Sequence, residues 1–183
     1  MVRWIFWGVF VTLMGAFLHY TLPSRDIVVI TGTEIIRQDV SGLNSWFYAG
    51  ADSGNAASDN RDLRLINTID ADGTTRVYRN EDTGIGWPPY FKFDSADLQA
   101  DAQASISTVA EPQWVAIRHY GVRSTFISIY PNATSIAPVA GPDVQLIPWM
   151  RIIVIILVVA LVRAVQVRLA RFWRRRFGSA EAA

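Results

Sequence analysis

Cysteine is absent from the 183 residues, which excludes disulfide frameworks, thiolate nucleophiles and Cys-ligated zinc or iron–sulfur clusters together. Histidine is almost absent. His19 and His119 are the two in the chain, too few for a site built mainly of imidazoles. Charged residues make up only 18% against 51% hydrophobic ones, which excludes a disordered or collagen-like chain and raises the question of where the apolar residues collect. A single compact domain of roughly 100–200 residues would use up most of this length, so a second catalytic domain beside it is excluded.

The apolar residues collect at the two ends. Trp4 to Leu22 runs for 19 residues without a charge, and as a helix it measures about 28 Å, close to the ~30 Å hydrocarbon core of a bilayer. A cleaved signal peptide competes with a retained anchor, because Arg3 followed by an apolar stretch imitates the head of a signal sequence. The exit His19-Tyr20-Thr21-Leu22-Pro23 lacks a small-x-small cleavage site, and a retained anchor is expected. Gly8 and Gly15 lie on nearly one helix face, where a second helix has space to approach, although random placement explains them almost as well.

The second apolar block has an unbroken run from Ile152 to Val162 between Arg151 and Arg163. Eleven residues are too short to span, but 146–167 suffices if both guanidinium groups snorkel to opposite interfaces. His19 and Tyr20 on the first span, and Trp149, Arg151, Arg163, Arg168 and Trp173 on the second, are the expected membrane-interface residues. Arg3 with Arg163, Arg168, Arg171, Arg174, Arg175 and Arg176 puts seven basic residues on one side. The positive-inside bias then predicts both termini in the cytoplasm, with the arginine tail on anionic headgroups. The expected organisation is 1–3 cytoplasmic, 4–22 spanning, 23–145 periplasmic, 146–167 spanning and 168–183 a basic cytoplasmic tail in a bacterial inner membrane.

Within 23–145, nine basic residues face fifteen acidic ones, a net charge of −6 that the overall +1 conceals. An acidic domain without a helix-turn-helix or RNA-binding signature sets nucleic acid aside as a partner. The β-branched segment Asp26 to Arg37, broken at Thr31-Gly32-Thr33, predicts a strand pair or a bulged strand. Leu63 to Tyr78 turns at Asp70-Ala71-Asp72-Gly73 and predicts a hairpin. Ser95 to Ser107 predicts one short helix, capped by Ser95 or Asp94 and burying Leu98 and Ile106. Gln113 to Tyr120 and Ser124 to Tyr130 read as a second hairpin, and 52–60 reads as a loop. The expected fold class is membrane-anchored α+β: two transmembrane helices flanking a small, mostly antiparallel β domain, a sheet or partly closed barrel, with one short helix.

Few residues suggest chemistry. His119 falls on a strand face with Val115 and Ile117, which favours a structural histidine over a catalytic base. The 52–62 loop lacks the ordered spacing of a calcium site, and Thr83-Gly84-Ile85-Gly86-Trp87 runs into Pro88-Pro89 rather than a pyrophosphate-binding helix. Asn132-Ala133-Thr134 matches a glycosylation acceptor incidentally. The densest stretch, Arg79 to Asp94, follows charged residues with Trp87, Tyr90, Phe91 and Phe93 stiffened by Pro-Pro. These aromatics suit either the domain core or an interface. Arg79, Glu81, Asp82, Trp87, Tyr90 and Phe91 are the expected partner-binding residues. No catalytic, metal-binding or cofactor-binding set is expected.

Several strings are specific: His19 to Pro23, Asn60-Arg61-Asp62, Arg79 to Gly84, Trp87 to Asp94, Trp114-Val115-Ala116, Arg118 to Gly121 and Tyr130-Pro131-Asn132. Through them the chain resembles, over nearly its whole length, the bacterial membrane-protein family labelled domain of unknown function fifteen twenty-three. That resemblance implies a small envelope protein with no assigned activity and no catalytic or cofactor residue to carry over. The functional expectation is a non-catalytic inner-membrane protein, an accessory or assembly subunit docking onto other membrane-protein subunits, such as those of an energy-transducing complex. The alternative is an envelope enzyme or binding protein acting on glycan or lipid headgroups through Glu81, Asp82 and Asp94.

Overall fold

The computed structural model describes residues 2–40, 42–48 and 60–177. The chain divides into two units, Met1–Leu146 and Ile147–Ala183. The first unit opens with helix α1 (Val2–Thr21), which ends ahead of Pro23, where the proline ring disfavours helical geometry at the preceding residue. Five strands follow: β1 (Ser24–Asp39), β2 (Asn60–Asp70), β3 (Thr75–Arg79), β4 (Trp114–Tyr120) and β5 (Asn132–Pro138). A 3₁₀ helix (Gly42–Phe47) lies between β1 and β2, and helix α2 (Ser95–Ala104) between β3 and β4.

The strands close into a barrel in the order β1-β2-β3-β5-β4, so closure is complete rather than partial. All neighbours are antiparallel except β3 and β5, which run parallel and share the single register pair Arg79↔Asn132. Val28, Ile30, Ile66, Tyr78, Val115, Ile117 and Ala133 come from all five strands into one buried cluster, which is therefore the barrel interior, and Leu98 and Ala102 of α2 pack on it. Leu63 and Leu65 alternate with Ile66, so they face the other way. They join Val40, Tyr48 and Ile129 in a second cluster on the outer wall.

The long β1 is one bulged strand. Its register with β2 shifts between Ile30 and Gly32, and the extra residue reverses the alternation, bringing Ile36 onto the outer face with Leu63. The hairpin falls where the turn residues put it. Asp70 Oδ1 accepts the N–H groups of Asp72 (3.1 Å) and Thr74 (2.9 Å), and Gly73 takes φ +78°, a left-handed conformation that suits glycine.

Three expectations need correction. Ser124–Tyr130 is not a strand. Ser124 and Ile129 make an isolated bridge around a tight loop in which Phe126 is 93% exposed, and the partner of β4 is β5. The cap of α2 comes from elsewhere: Asp94 makes no side-chain cap bond, while Asp82 accepts the Ser95 N–H (2.9 Å) and hydroxyl (2.8 Å). Ile106 lies beyond the helix, half exposed and bridged to Ile30; the buried α2 residues are Ser95, Leu98, Gln99 and Ala102. The predicted loop at 52–60 falls, up to residue 59, outside the described residues.

The second unit is helix α3 (Trp149–Phe177). Its 29 residues carry the helix about ten residues past the expected end of the span and through most of the arginine tail. Trp4–Thr21 and Trp149–Phe172 are each long and apolar enough to cross a membrane, and almost none of either segment is buried.

Candidate interface at the junction of α1 and the barrel

The last carbonyls of a helix have no partners within it. In α1 the barrel supplies them. The Gly121 N–H donates to the Tyr20 carbonyl (2.9 Å), and the Tyr90 hydroxyl donates to that of Thr21. Gly121 has φ +88°, a left-handed conformation that suits glycine, and it lies beside Pro131 and the Tyr20 ring. Aromatic rings complete the joint. Tyr20 meets Phe47 and Tyr120 edge-on, Tyr90 stacks on Tyr120 at 4.7 Å, and Trp87 stacks on Phe17 at 5.5 Å. Phe17 lies four residues inside the helix, about 6 Å below its end, so the 83–91 loop reaches down beside α1.

A pocket of about 110 Å³ opens at this joint, walled by Tyr20, Trp46, Phe47, Tyr48, Trp87 and Tyr120. Arg79 lies against that wall with only 2% of its surface exposed. Its guanidinium sits 4.5 Å from the Tyr48 ring centroid, and Nη2 donates to the Phe47 carbonyl. Nε is 3.4 Å from Glu81 Oε2, close enough for charge attraction but not aligned as a hydrogen bond. Nη1 has no hydrogen-bond partner among the described residues. Burial alone would lower the Arg79 pKa, but Glu81 and the surrounding tyrosines outweigh it and raise it, so the group is a permanent cation.

Next to Arg79 a polar clasp completes the narrow β3–β5 closure. Asn132, fully buried, accepts the Glu81 N–H (2.9 Å) and donates Nδ2 to the Glu81 carbonyl (3.0 Å) and the Tyr120 hydroxyl (3.1 Å). Its amide thus extends the ladder by one step, and the glycosylation-like string is a closure element with its nitrogen engaged. Asn80 donates to the Ser95 carbonyl (2.7 Å) and Gln99 (2.9 Å) and accepts from the buried Lys92 Nζ, which also donates to the Ala133 carbonyl (2.8 Å). Burial pulls the Lys92 ammonium down to about 8 despite the nearby carboxylates of Asp82, Asp94 and Glu81.

His119 is tied into the barrel interior. Its Nε2 lies 3.0 Å from Asp26 Oδ2, which also accepts from the Tyr78 hydroxyl (2.6 Å) and lies 3.4 Å from Arg76 Nη1. A carboxylate only accepts, which places the ring proton on Nε2. Burial would raise the Asp26 pKa, but these donors hold it below the ordinary carboxylate range. The cluster links β1, β3 and β4. Among the described residues no group of three His, Asp or Glu side chains is placed to hold a metal ion.

The expected partner-binding residues thus separate. Trp87 (65% exposed) and Phe91 (62%) are presented outward, together with Phe93, so the core reading fails for these three. Tyr90 is half-buried in the joint, Arg79 is buried, Glu81 faces Arg79, and Asp82 is committed to α2. Phe91 adopts φ +51°, a conformation uncommon outside glycine, between the inward-held Tyr90 and Lys92. Of the expected interface residues, His19 and Arg168 are exposed, Tyr20 is in the joint, and Trp149 is 63% exposed. Arg151 is half-buried; Arg163 is exposed and donates to Gln166 (3.1 Å); the Trp173 side chain lies outside the described ones. Sequence reasoning missed Asp26, Trp46, Tyr48, Lys92 and Asn132. The signal available was the concentration of family-like strings in the segments that meet here, Arg79 to Asp94, Arg118 to Gly121 and Tyr130 to Asn132.

A closed five-strand barrel, jointed through an aromatic collar to an apolar helix and followed in sequence by a second such helix, defines the structural class. The chain belongs to the family described as protein of unknown function DUF1523, whose profile matches residues 1–175. An uncharacterized protein of Haemophilus influenzae is 41% identical over 130 residues, which cover 71% of this chain and 70% of that protein. No solved structure matches the chain.

Proposed function

We propose that the chain is a non-catalytic docking protein of the bacterial inner membrane, with α1 and α3 spanning the bilayer, both termini cytoplasmic and the barrel periplasmic. It serves there as an accessory or assembly subunit of a larger membrane complex. The observation that carries this reading is the joint between α1 and the barrel. Gly121 and Tyr90 engage the Tyr20 and Thr21 carbonyls at the end of the helix, which supports reading α1 as a retained part of the folded domain. Cleavage after Leu22 would strip the collar and leave Phe47, Tyr90 and Tyr120 without their helix.

Two further features support docking. Ile, Leu, Val and Phe side chains are exposed along both helices, and space is open beside Gly8 and Gly15, where another helix fits. The carboxylates on which an enzymatic reading rests are largely occupied, Asp82 by Ser95 and Glu81 by Arg79. The test is purification of the full chain from native membranes in mild detergent, followed by size analysis and mass spectrometry. Recovery in a defined larger assembly is expected, and Gly8→Leu with Gly15→Leu should reduce it. Recovery of a free monomer alone contradicts docking.

A further inference from the structure

A second groove, open and of about 370 Å³, lies between the 90–94 segment and strands β4 and β5, lined by Tyr90, Phe91, Phe93, Asp94, Arg118 and Ser135. Two of these are large apolar side chains kept in the open. Tyr90 is held by the Thr21 carbonyl and Lys92 by Asn80 and Ala133, and the residues that follow each of them, Phe91 and Phe93, are turned outward at 62% and 67% exposure. An exposed apolar pair on a segment fixed from within marks a contact surface.

The polar half of the groove carries both signs of charge. Arg118 alternates with the interior residue Ile117 and so faces outward, opposite Arg25 on β1 and Ser135 on β5, in one row across three strands. Like charges directly opposite on a sheet repel. Neither arginine has an ion-pair partner among the described residues, although the domain around them is acidic. The Thr134 hydroxyl is committed to the Arg118 carbonyl and the Lys92 ammonium to Asn80 and Ala133, which leaves Arg118 and Ser135 as the donors facing the groove. Asp94, exposed and making no cap bond to α2, supplies the opposite charge. A ligand that answers both has an anionic oxygen group and an ammonium on one short frame.

The end of α1 sets where such a ligand comes from. Tyr90 both lines the groove and bonds the Thr21 carbonyl, and Arg118 precedes by three residues Gly121, whose N–H bonds the Tyr20 carbonyl. At about 3.3 Å per residue, Arg118 lies about 10 Å along the strand from that helix end, comparable with the ~5–8 Å headgroup layer on each side of a bilayer.

We propose that this groove seats the headgroup of one zwitterionic outer-leaflet phospholipid of the phosphoethanolamine type, with its phosphate on Arg118, its ammonium on Asp94, and Phe91 and Phe93 against its glycerol ester region. The inference rests on the membrane reading above. Headgroup chemistry alone also admits a soluble phosphoethanolamine ester, which the test separates. An anionic lipid such as phosphatidylglycerol lacks the ammonium and meets Asp94 as a like charge.

The full chain, purified in mild detergent and delipidated, is titrated separately with short-chain phosphatidylethanolamine, short-chain phosphatidylglycerol and glycerophosphoethanolamine, with occupancy read by native mass spectrometry. One phosphatidylethanolamine per chain is expected, bound about tenfold more tightly than either of the others. Arg118→Gln should weaken both lipids by about tenfold, Asp94→Asn should remove the preference for phosphatidylethanolamine, and Phe93→Ser should weaken the lipids and leave glycerophosphoethanolamine unchanged. All three positions are at least partly exposed, so these variants leave the core untouched. Absence of a 1:1 complex, equal affinity for the two lipids, a preference that survives Asp94→Asn, or glycerophosphoethanolamine binding as tightly as the lipid overturns the site. Retention of the chain in carbonate-washed membranes is measured in parallel: a chain that stays in the pellet but takes no phosphatidylethanolamine refutes the site alone, whereas a chain released by carbonate refutes the anchor.

Discussion

Lys92 is the residue whose environment departs furthest from its ordinary preference. Lysine seldom lies buried without a carboxylate partner, yet its ammonium here rests on two neutral oxygens, Asn80 Oδ1 and the Ala133 carbonyl. Its pKa falls to about 8 when folded, against about 10.4 in the unfolded chain. Between those values the unfolded chain holds the proton and the folded one does not, so stability rises with pH across that window, by up to about 3 kcal/mol. Below pH 8 both states are protonated and the contribution is constant. Tyr48 and Tyr78, whose phenols are raised by burial, act in the opposite sense above pH 10. The thermal midpoint of the detergent-solubilised protein should therefore climb from pH 8 to 10, and Lys92→Met should flatten the climb; an unchanged slope in the variant would contradict this assignment.

The sequence discloses little at this scale. His119 reads as structural from its strand face alone, but its partner Asp26 is 93 residues away and no local pattern links them. Arg79, Glu81 and Asp82 read as partner-binding residues, because one-dimensional reading assigns charged residues to the surface. Long-range geometry reverses that: Arg79 and Asn80 are buried, Asn80 and Asp82 hold α2, and the Glu81 backbone is clasped by Asn132 where the barrel closes.

At the scale of elements, strong local signals survive and weak ones do not. The Asp70-to-Gly73 turn carries its own hydrogen bonds, and β1 is dense in branched side chains, so both are legible. Asn132–Pro138 has poor strand propensity and is nonetheless a strand, whereas Ser124–Tyr130, richer in Phe, Ile and Tyr, is a loop. Position decides the exchange: β5 fills the gap between β3 and β4, and the Asn132 amide supplies the bonds that a single register pair leaves out. Asn132→Ala would leave the Glu81 N–H and carbonyl and the Tyr120 hydroxyl without this partner, at about 1–3 kcal/mol for each group that stays buried and unmet. A loss of roughly 2–4 kcal/mol in denaturant unfolding is expected, while a change below about 0.5 kcal/mol would show that the clasp does not close the barrel.

For the whole molecule, composition was the most informative quantity. An overall charge of +1 resolves into an acidic middle and a basic end, and the apolar excess resolves into two terminal helices. The barrel's closure and the collar around α1 were beyond sequence reading, since both depend on contacts between segments about 50 to 100 residues apart. The absence of cysteine makes the central claim directly testable. A unique cysteine at the hairpin tip, Asp72→Cys, and another in the tail, Ala180→Cys, are exposed in turn to a membrane-impermeant maleimide on intact spheroplasts. Labelling of the first without lysis, and of the second only after it, is the expected result. An Asp72→Cys chain that stays unlabelled until the cells are broken would contradict the periplasmic barrel and the two-span arrangement that holds it there.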